Sequence, residues 1–179
     1  MSDELIRTSR LDSNFIFEVS SHKYAKNINS CFACGTCTGG CPIHRVYPEY
    51  NPRKIIRMIK LGMRSEVLSS KYIWYCATCH TCEERCPRGV GFFNVLNVLK
   101  NIAAKEGFAP SPWIEQTKQI TLSGISIPTQ ETWIKKREEL SLRPLRKKLS
   151  EKAAKLIDSM VLIKSFGGED EEICSIFRL

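Results

Sequence analysis

The residues best suited to chemistry are eight of the nine cysteines, which form two groups of identical spacing. Each group reads Cys-x2-Cys-x2-Cys-x3-Cys-Pro, and the second lies 45 residues after the first. We call residues 31–42 the first cassette and residues 76–87 the second cassette. Their ligand candidates are Cys31, Cys34, Cys37 and Cys41 in the first, and Cys76, Cys79, Cys82 and Cys86 in the second. Such an internal repeat predicts two copies of one cofactor site.

The spacing within each cassette is typical of a [4Fe–4S] cluster. Each of its four iron corners needs one thiolate, and Cys-x2-Cys-x2-Cys lets one tight loop reach three of them while backbone amides turn inward. The fourth cysteine precedes a proline, which turns the chain away toward the neighbouring cluster. We therefore expect crossed ligation. One cluster would use Cys31, Cys34, Cys37 and Cys86, and the other Cys76, Cys79, Cys82 and Cys41.

Zinc and disulfides are the alternatives to iron–sulfur. Structural zinc prefers two pairs of ligands separated by a longer loop, without a third cysteine two residues on. Disulfide frameworks belong to exported chains, but residues 1–10 mix charges and lack the apolar run of a signal peptide. No segment approaches the roughly 20 apolar residues of a membrane span. We expect two [4Fe–4S] clusters in a cytoplasmic protein.

Helix signals follow each cassette. Asn51 as N-cap, Pro52 at the first helical position and Gly62 as a stop predict a helix over 51–62. Apolar residues spaced along one face predict a second helix over 92–106, ended by Gly107, and a short helix is expected over 65–75. Because helices fill the intervals between cassettes, we predict a mainly α fold, an α-helical ferredoxin domain.

This domain is expected to span residues 26–107. Residues 1–25 are predicted to form an N-terminal arm, in which 14–19 fits a short strand or extended segment. Residues 108–179 are predicted to form a linker and a helical extension for contacts with other subunits. Within them, prolines and a glycine mark an irregular connection over 110–128, and helical patterns resume over 129–140 and 144–164. The tail from 166 is acidic and glycine-containing.

The charge of the chain bears on its partners. The formal net charge is +8, but an oxidised cluster with four thiolates carries roughly −2, so two would leave about +4. Residues 135–155 hold nine Lys or Arg against three Glu. This basic run, which includes residues 146–148, is either a docking surface or a solvated helix face.

Several residues near the cassettes have a possible functional role and a simpler structural one. His44 and His80 could donate to a cluster sulfur, although a solvated or capping role is preferred because no acid–base partner is evident. Phe32, Trp74 and Tyr75 are expected to exclude water rather than relay electrons. The isolated Cys174 is interpreted as a small apolar residue rather than a redox switch.

The last loops of the two cassettes differ in charge. The first contains Gly39 and Gly40, which permit close amide donation and so raise a reduction potential, whereas the second contains Glu83 and Glu84, which lower it. We expect the cluster held mainly by the second cassette to have the lower potential, unless Arg85 and Arg88 cancel the effect.

Other chemistry is not indicated. The sequence has no glycine-rich nucleotide fingerprint between a strand and a helix, no nucleophile–base arrangement and no Cys-Cys-Gly sequence. The pattern is that of an electron carrier without a substrate site of its own, and no catalytic residue is proposed.

Both cassettes, the Asn51-Pro52-Arg53 helix start and Trp74 carry a family resemblance. Over residues 30–113 the chain resembles the C subunit of heterodisulfide reductase from methanogenic archaea and their relatives. The resemblance implies an electron relay from a flavin- and cluster-containing A subunit to the B subunit. In the family, the B subunit uses Cys-Cys-Gly motifs and noncubane clusters to cleave the coenzyme M–coenzyme B disulfide of methanogenesis. The resemblance allows a hydrogenase or formate dehydrogenase as a further partner, and the sequence leaves the identity of the electron donor open.

Three alternatives remain open at this point. A homologous two-cluster relay subunit of another anaerobic oxidoreductase complex would carry the same cassettes. A basic iron–sulfur protein that binds nucleic acid is allowed by the charge but supported by no recognition motif. A free ferredoxin-like shuttle would need little beyond its clusters, and the long arms of this chain argue against it.

Overall fold

The computed structural model describes residues 8–126, 130–144 and Lys155, and within them every regular element is a helix. The α-helices are α1 (Phe15–Ser21), α2 (Thr36–Gly39), α3 (Pro42–Val46), α4 (Pro52–Lys60), α5 (Arg64–Leu68), α6 (Thr81–Glu84), α7 (Phe92–Lys105), α8 (Ser111–Ser123) and α9 (Glu131–Glu139). Short 3-10 helices cover Thr8–Arg10, Lys26–Ser30 and Lys71–Trp74. The prediction of a mainly α fold is confirmed.

The chain divides into two compact units, Met1–Ala103 and Ala104–Leu179. The first unit contains both cassettes around an apolar core. Helix α7 contributes much of this core along one face, as its periodicity predicts. Its buried apolar side chains in this unit are Phe92, Val95, Leu96, Val98, Leu99, Ile102 and Ala103.

Helix α4 begins and ends as the sequence predicts. The Asn51 side chain accepts from the Lys54 amide at 2.9 Å, which caps the first turn, and Pro52 follows. The helix stops before Gly62, whose φ of +75° favours glycine there. A Cβ at Gly62 would also clash with the Asp12 carbonyl oxygen. This close approach joins the end of α4 to the segment that precedes α1.

The prediction of a strand or extended segment over 14–19 was wrong, because this stretch forms α1. Phe15 and Val19 are fully buried in the core, and their spacing of four residues is helical. Glu18 on the same helix accepts two hydrogen bonds from the Arg64 guanidinium, at 3.1 and 3.2 Å. Short aromatic and β-branched runs fit either helix or strand, and packing decided between them here.

The irregular connection expected over 110–128 contains helix α8. Pro112 occupies the first turn of α8, where proline is tolerated, and Gly124 ends the helix with φ +74°. Helix α9 confirms the pattern over 129–140. The helix expected over 65–75 is split into α5 and a 3-10 helix. The pattern over 144–164, the basic run 146–148, the acidic tail and Cys174 fall outside the described residues, apart from Pro144 and Lys155.

Candidate iron–sulfur centre

The repeat in sequence is also a repeat in backbone conformation. Ala33 and Gly35 in the first cassette have φ of +61° and +85°, and Thr78 and His80, 45 residues on, have φ of +53° and +58°. A left-handed conformation is costly for a β-branched residue such as Thr78. Alternating right- and left-handed residues turn successive amides toward one side and create an anion-binding concavity. Left-handed residues held at the same two positions twice indicate a functional constraint.

The first cavity, of about 390 Å³ with part open to solvent, joins the two cassettes. The cysteines that line it are Cys31, Cys34, Cys37, Cys82 and Cys86. Cys86 therefore lies with the first three cysteines of the first cassette. Its sulfur accepts from the Val90 amide at 3.4 Å, which fixes the loop after the second cassette.

The second cavity, of about 340 Å³ with part open to solvent, has the reciprocal composition. Its cysteines are Cys41, Cys76, Cys79 and Cys82. Cys41 is the fourth cysteine of the first cassette, so each cavity receives one cysteine from the other cassette. Cys82 lines both cavities, which makes them neighbours.

The thiols fit a cluster better than a single ion. Within the described part of the chain, no three His, Cys, Asp or Glu side chains converge closely enough to hold one metal ion. The cysteines instead surround two cavities, as a cofactor with four separate iron corners requires and a tetrahedral zinc site does not. The left-handed loop positions and the thiol donor set fit [4Fe–4S] clusters.

Thr36 and Thr81, which occupy the same position in the two cassettes, make the same contact with a cysteine sulfur. The Thr36 hydroxyl lies 3.3 Å from the Cys34 sulfur, and the Thr81 hydroxyl lies 3.4 Å from the Cys79 sulfur. These hydrogen bonds are the main cause that lowers the pKa of Cys34 and of Cys79. Both cysteines are exposed. The second cysteine of each cassette is thus biased toward the thiolate that iron binds.

The third cysteine of each cassette has the opposite bias. Burial raises the pKa of the Cys37 thiol and raises that of Cys82 to about 11. Buried Tyr50 lines the second cavity beside Cys82, and burial, followed by the charge and hydrogen bond of Cys76, raises its pKa. The Tyr50 hydroxyl therefore stays protonated and can donate to a sulfur.

The first cassette is fixed to helix α4 by Thr38. Its hydroxyl donates to the Asn51 side-chain oxygen at 3.0 Å and accepts from the Arg53 amide at 3.0 Å. Lys60, at the other end of α4, donates to the Cys31 carbonyl oxygen at 2.8 Å. The predicted helix α4 thus holds the first loop at both of its ends.

Cationic side chains are distributed unequally between the cavities. Arg53 and Arg88 line the first cavity, and Arg53 adds, after Thr36, to the lowered pKa of Cys34. Among the described residues, no Lys, Arg, Asp or Glu lines the second cavity. The first site is therefore the more electropositive of the two at its walls.

The two histidines differ from the expectation. His44 Nδ1 lies 2.9 Å from the Tyr50 carbonyl oxygen, a structural contact. His80 does have an acid–base partner, since its Nδ1 lies 2.9 Å from Glu83 Oε2. Glu83 also accepts from Asn94 at 2.8 Å. Because His80 is itself left-handed and precedes α6 rather than lying within it, a helical pattern did not indicate this i,i+3 pairing.

The aromatic residues near the cassettes divide into two groups. Trp74 and Tyr75 pack against the core, and the ring of Tyr75 contacts Tyr47 and Tyr72. Phe32 lines the first cavity but is 61% exposed, so much of it faces solvent.

Sequence reasoning missed three residues near the cassettes, namely Tyr50, Lys60 and Lys100. They belong to no motif, and they reach the cassettes only through folding.

No helix in the described ranges is long and apolar enough to cross a membrane. The fold and the paired cysteine cavities define a helical iron–sulfur protein of the ferredoxin class. In agreement, residues 27–90 match the family described as the 4Fe-4S dicluster domain.

Relatives narrow this class to one family. The chain is 35% identical over 145 residues to the C2 iron-sulfur subunit of the CoB–CoM heterodisulfide reductase of Methanocaldococcus jannaschii, with 77% of each chain covered. It is 31% identical over 173 residues to the corresponding C subunit of Methanopyrus kandleri, covering 92% of this chain and 90% of that one. Identity to the C subunit of the ferredoxin:CoB-CoM heterodisulfide reductase of Methanosarcina mazei is 37% over 139 residues, covering 78% and 85%.

The chain belongs to the family of heterodisulfide reductase C subunits, and the resemblance noted from its motifs is confirmed. It is an iron–sulfur electron-transfer subunit of the oxidoreductase class, with [4Fe–4S] cofactors.

Proposed function

We propose that this chain holds two [4Fe–4S] clusters and relays electrons between them within a heterodisulfide reductase complex. Cys31, Cys34, Cys37 and Cys86 would hold the first cluster, and Cys76, Cys79, Cys82 and Cys41 the second. The clusters supply reversible one-electron chemistry. The observation that carries the proposal is that Cys82 lines both cavities, because neighbouring clusters allow direct electron transfer.

The protein has three tasks in this proposal. The cysteine side chains would bind iron, the backbone amides of the left-handed loops would stabilise the anionic cluster, and the apolar core that includes α7 would exclude water. Cys34 and Cys79, the exposed member of each cassette, mark where each cluster would come nearest to the surface. Electrons would enter near one of them and leave near the other.

The direction of transfer would run from a flavin- and cluster-containing A subunit to a disulfide-reducing B subunit. A chain that only relays electrons needs no substrate site, and we assign it no catalytic residue. The names of two relatives support a multi-subunit complex that takes electrons from H2 or formate: one is the C subunit of an H2:CoB-CoM heterodisulfide,ferredoxin reductase, and another is the C2 subunit of an H2/formate:CoB-CoM heterodisulfide,ferredoxin reductase. A hydrogenase or formate dehydrogenase would then be the donor in the cytoplasm.

Crossed ligation can be tested with two reciprocal variants. Cys86→Ser should alter the EPR spectrum of the same cluster as Cys34→Ser, and Cys41→Ser that of the same cluster as Cys79→Ser. The spectra are recorded on anaerobically purified full-length protein, and iron analysis shows whether each variant retains its clusters. If Cys86→Ser instead altered the cluster that Cys79→Ser alters, each cassette would hold its own cluster.

The relay itself is tested on the native complex. Purification without oxygen, followed by mass spectrometry, should find a flavoprotein and a Cys-Cys-Gly protein in fixed ratio with this chain. Recovery of the chain alone, or with a quinone-binding membrane partner, would reject the heterodisulfide relay but leave the two clusters standing.

A further inference from the structure

Lys100 is the one lysine among the described residues that is buried, with 9% of its surface exposed. It lies on helix α7, which forms much of the core of the first unit. Lysine is almost never buried without a compensating group, since removing an ammonium from water is expensive. The burial of Lys100 therefore indicates a role for its ammonium group besides packing.

The surroundings of Lys100 point to the second cassette. Its Nζ lies 5.9 Å from the centroid of the Trp74 ring, a cation–π contact. Trp74 precedes Cys76 by two residues. Burial lowers the pKa of Lys100, and the negative charge of the Cys76 thiolate opposes that change. The cation thus lies against the ring of the residue two positions before the first ligand candidate of the second cassette.

We propose that the buried ammonium group of Lys100 raises the reduction potential of the cluster held by the second cassette. The proposal rests on the proposed function above. Reduction adds one negative charge to a cluster, and a cation nearby stabilises that charge more strongly where water is excluded. Lys100 would partly offset the carboxylate of Glu83, which lies at the same cassette.

Lys60 at the first cassette can be compared with Lys100 at the second. Its Nζ donates to the carbonyl oxygens of Cys31 at 2.8 Å and Asn29 at 3.3 Å, so it too accompanies the first cysteine of a cassette. Lys60, however, is exposed, and water and salt screen its charge. Each cassette has a lysine near its first cysteine, and only at the second cassette is that lysine desolvated.

The experiment is an EPR-monitored redox titration of anaerobically purified full-length protein. Lys100→Met removes the charge and keeps an unbranched side chain, whereas Lys100→Arg keeps the charge. Lys105→Met changes an exposed lysine at the end of the same helix and serves as the control. The cluster concerned is identified as the one whose signal Cys79→Ser alters.

We expect Lys100→Met to disfavour reduction of that cluster by about tenfold, which is roughly 59 mV for a one-electron couple. Lys100→Arg should keep most of the wild-type potential, and Lys105→Met should leave both potentials unchanged. Unchanged midpoints in Lys100→Met, or equal shifts in the Met and Arg variants, would overturn the proposal, because the second result would report packing alone.

If Lys100→Met does not retain its clusters, Lys100→Gln replaces it with the same expected shift. Failure of this inference is separable from failure of the proposed function. Two clusters that titrate normally while ignoring Lys100 would reject only the inference. A purified chain that holds no [4Fe–4S] cluster would reject the proposed function.

Discussion

The two cassettes have the same cysteine spacing and the same left-handed backbone positions, yet their surroundings differ. Guanidinium groups of Arg53 and Arg88 line the first cavity. The second is lined by Tyr50 and His80 and has a buried lysine on α7 nearby. The duplicated motif therefore specifies the ligands, whereas the different residues around each cassette can give the two clusters different reduction potentials.

Because the chain crosses between the two sites, a charged residue that follows one cassette in sequence can lie at the site of the other. Arg88 follows the second cassette in sequence but lines the first cavity, together with Cys86. Arg85 likewise reaches the first cassette, since a Cβ at Gly40 would lie 3.5 Å from its Nη1. Arg88 therefore adds positive charge to the first site, whereas Gly40, which Arg85 approaches, directly precedes Cys41 of the second cavity. The hypothesis that the second cluster has the lower potential stays a prediction, and the place of Arg88 at the first cavity favours it.

The largest effect is expected from removing iron, because neither cassette would then hold a cluster whose potential could be compared. Eight thiols and two left-handed loops are arranged for the cofactor, so much of its binding free energy is folding free energy. Anaerobic chelation with an oxidant should greatly reduce the cooperative thermal transition followed by circular dichroism. Reconstitution with iron and sulfide should restore it. A stable, cooperative apo-protein would show that the helical core folds independently of iron.

The gap between the two potentials should respond to charge at each cassette. Glu83→Gln should raise the potential of the second cluster, and Arg53→Met should lower that of the first. Glu83→Gln should change the reduction equilibrium by about threefold to tenfold and Arg53→Met by about threefold, because Glu83 is half-buried whereas Arg53 is exposed and screened by water. Redox titration with EPR detection measures both midpoints.

Matched controls exist for both charge variants. Glu84→Gln and Lys54→Met change exposed neighbours of the same charge and should have smaller effects. Equal midpoints in the wild-type protein, or an unchanged second midpoint in Glu83→Gln, would contradict the charge hypothesis.

A smaller change is expected from Tyr50→Phe, which keeps the buried ring and removes the hydroxyl beside Cys76. Hydrogen bonds to cluster sulfurs raise a reduction potential, and one is worth about 1 kcal/mol net, so the second cluster should become harder to reduce by about fivefold. The first cluster should be unaffected. Tyr47→Phe, at an exposed tyrosine, is the control. A shift in the first cluster would mean that Tyr50 acts elsewhere.

The smallest effect concerns the contact between the cassettes. A Cβ at Gly40 would lie 3.3 Å from the Thr36 carbonyl oxygen and 3.4 Å from Thr81 Cγ2, whereas one at Gly39 would meet nothing within 4 Å. Gly39→Ala should stabilise the protein by about 0.5 kcal/mol through the unfolded chain. Gly40→Ala should lose that gain to crowding between α2 and α6. The temperature of cluster loss compares them, and identical values would show that the two helices move apart easily.

Much of the site is readable from sequence because its signals are local. The cysteine spacing determined the type of cofactor, and Asn51, Pro52 and Gly62 determined helix α4, since capping and left-handed turns depend on a few adjacent residues. The 14–19 segment was not readable in this way, because its helix depends on burial of Phe15 and on the distant partner Arg64.

The sequence by itself predicted which atoms bind iron and how many clusters form, and it determined the helices that follow the cassettes. Only the tertiary structure decided which cavity each fourth cysteine joins and that Arg88 lines the first one. It also decided that Tyr50 is buried at the second cavity and that Lys100 is buried against Trp74. The physical reason is that ligand spacing is a property of one loop, whereas burial and electrostatic environment come from side chains far apart in the chain.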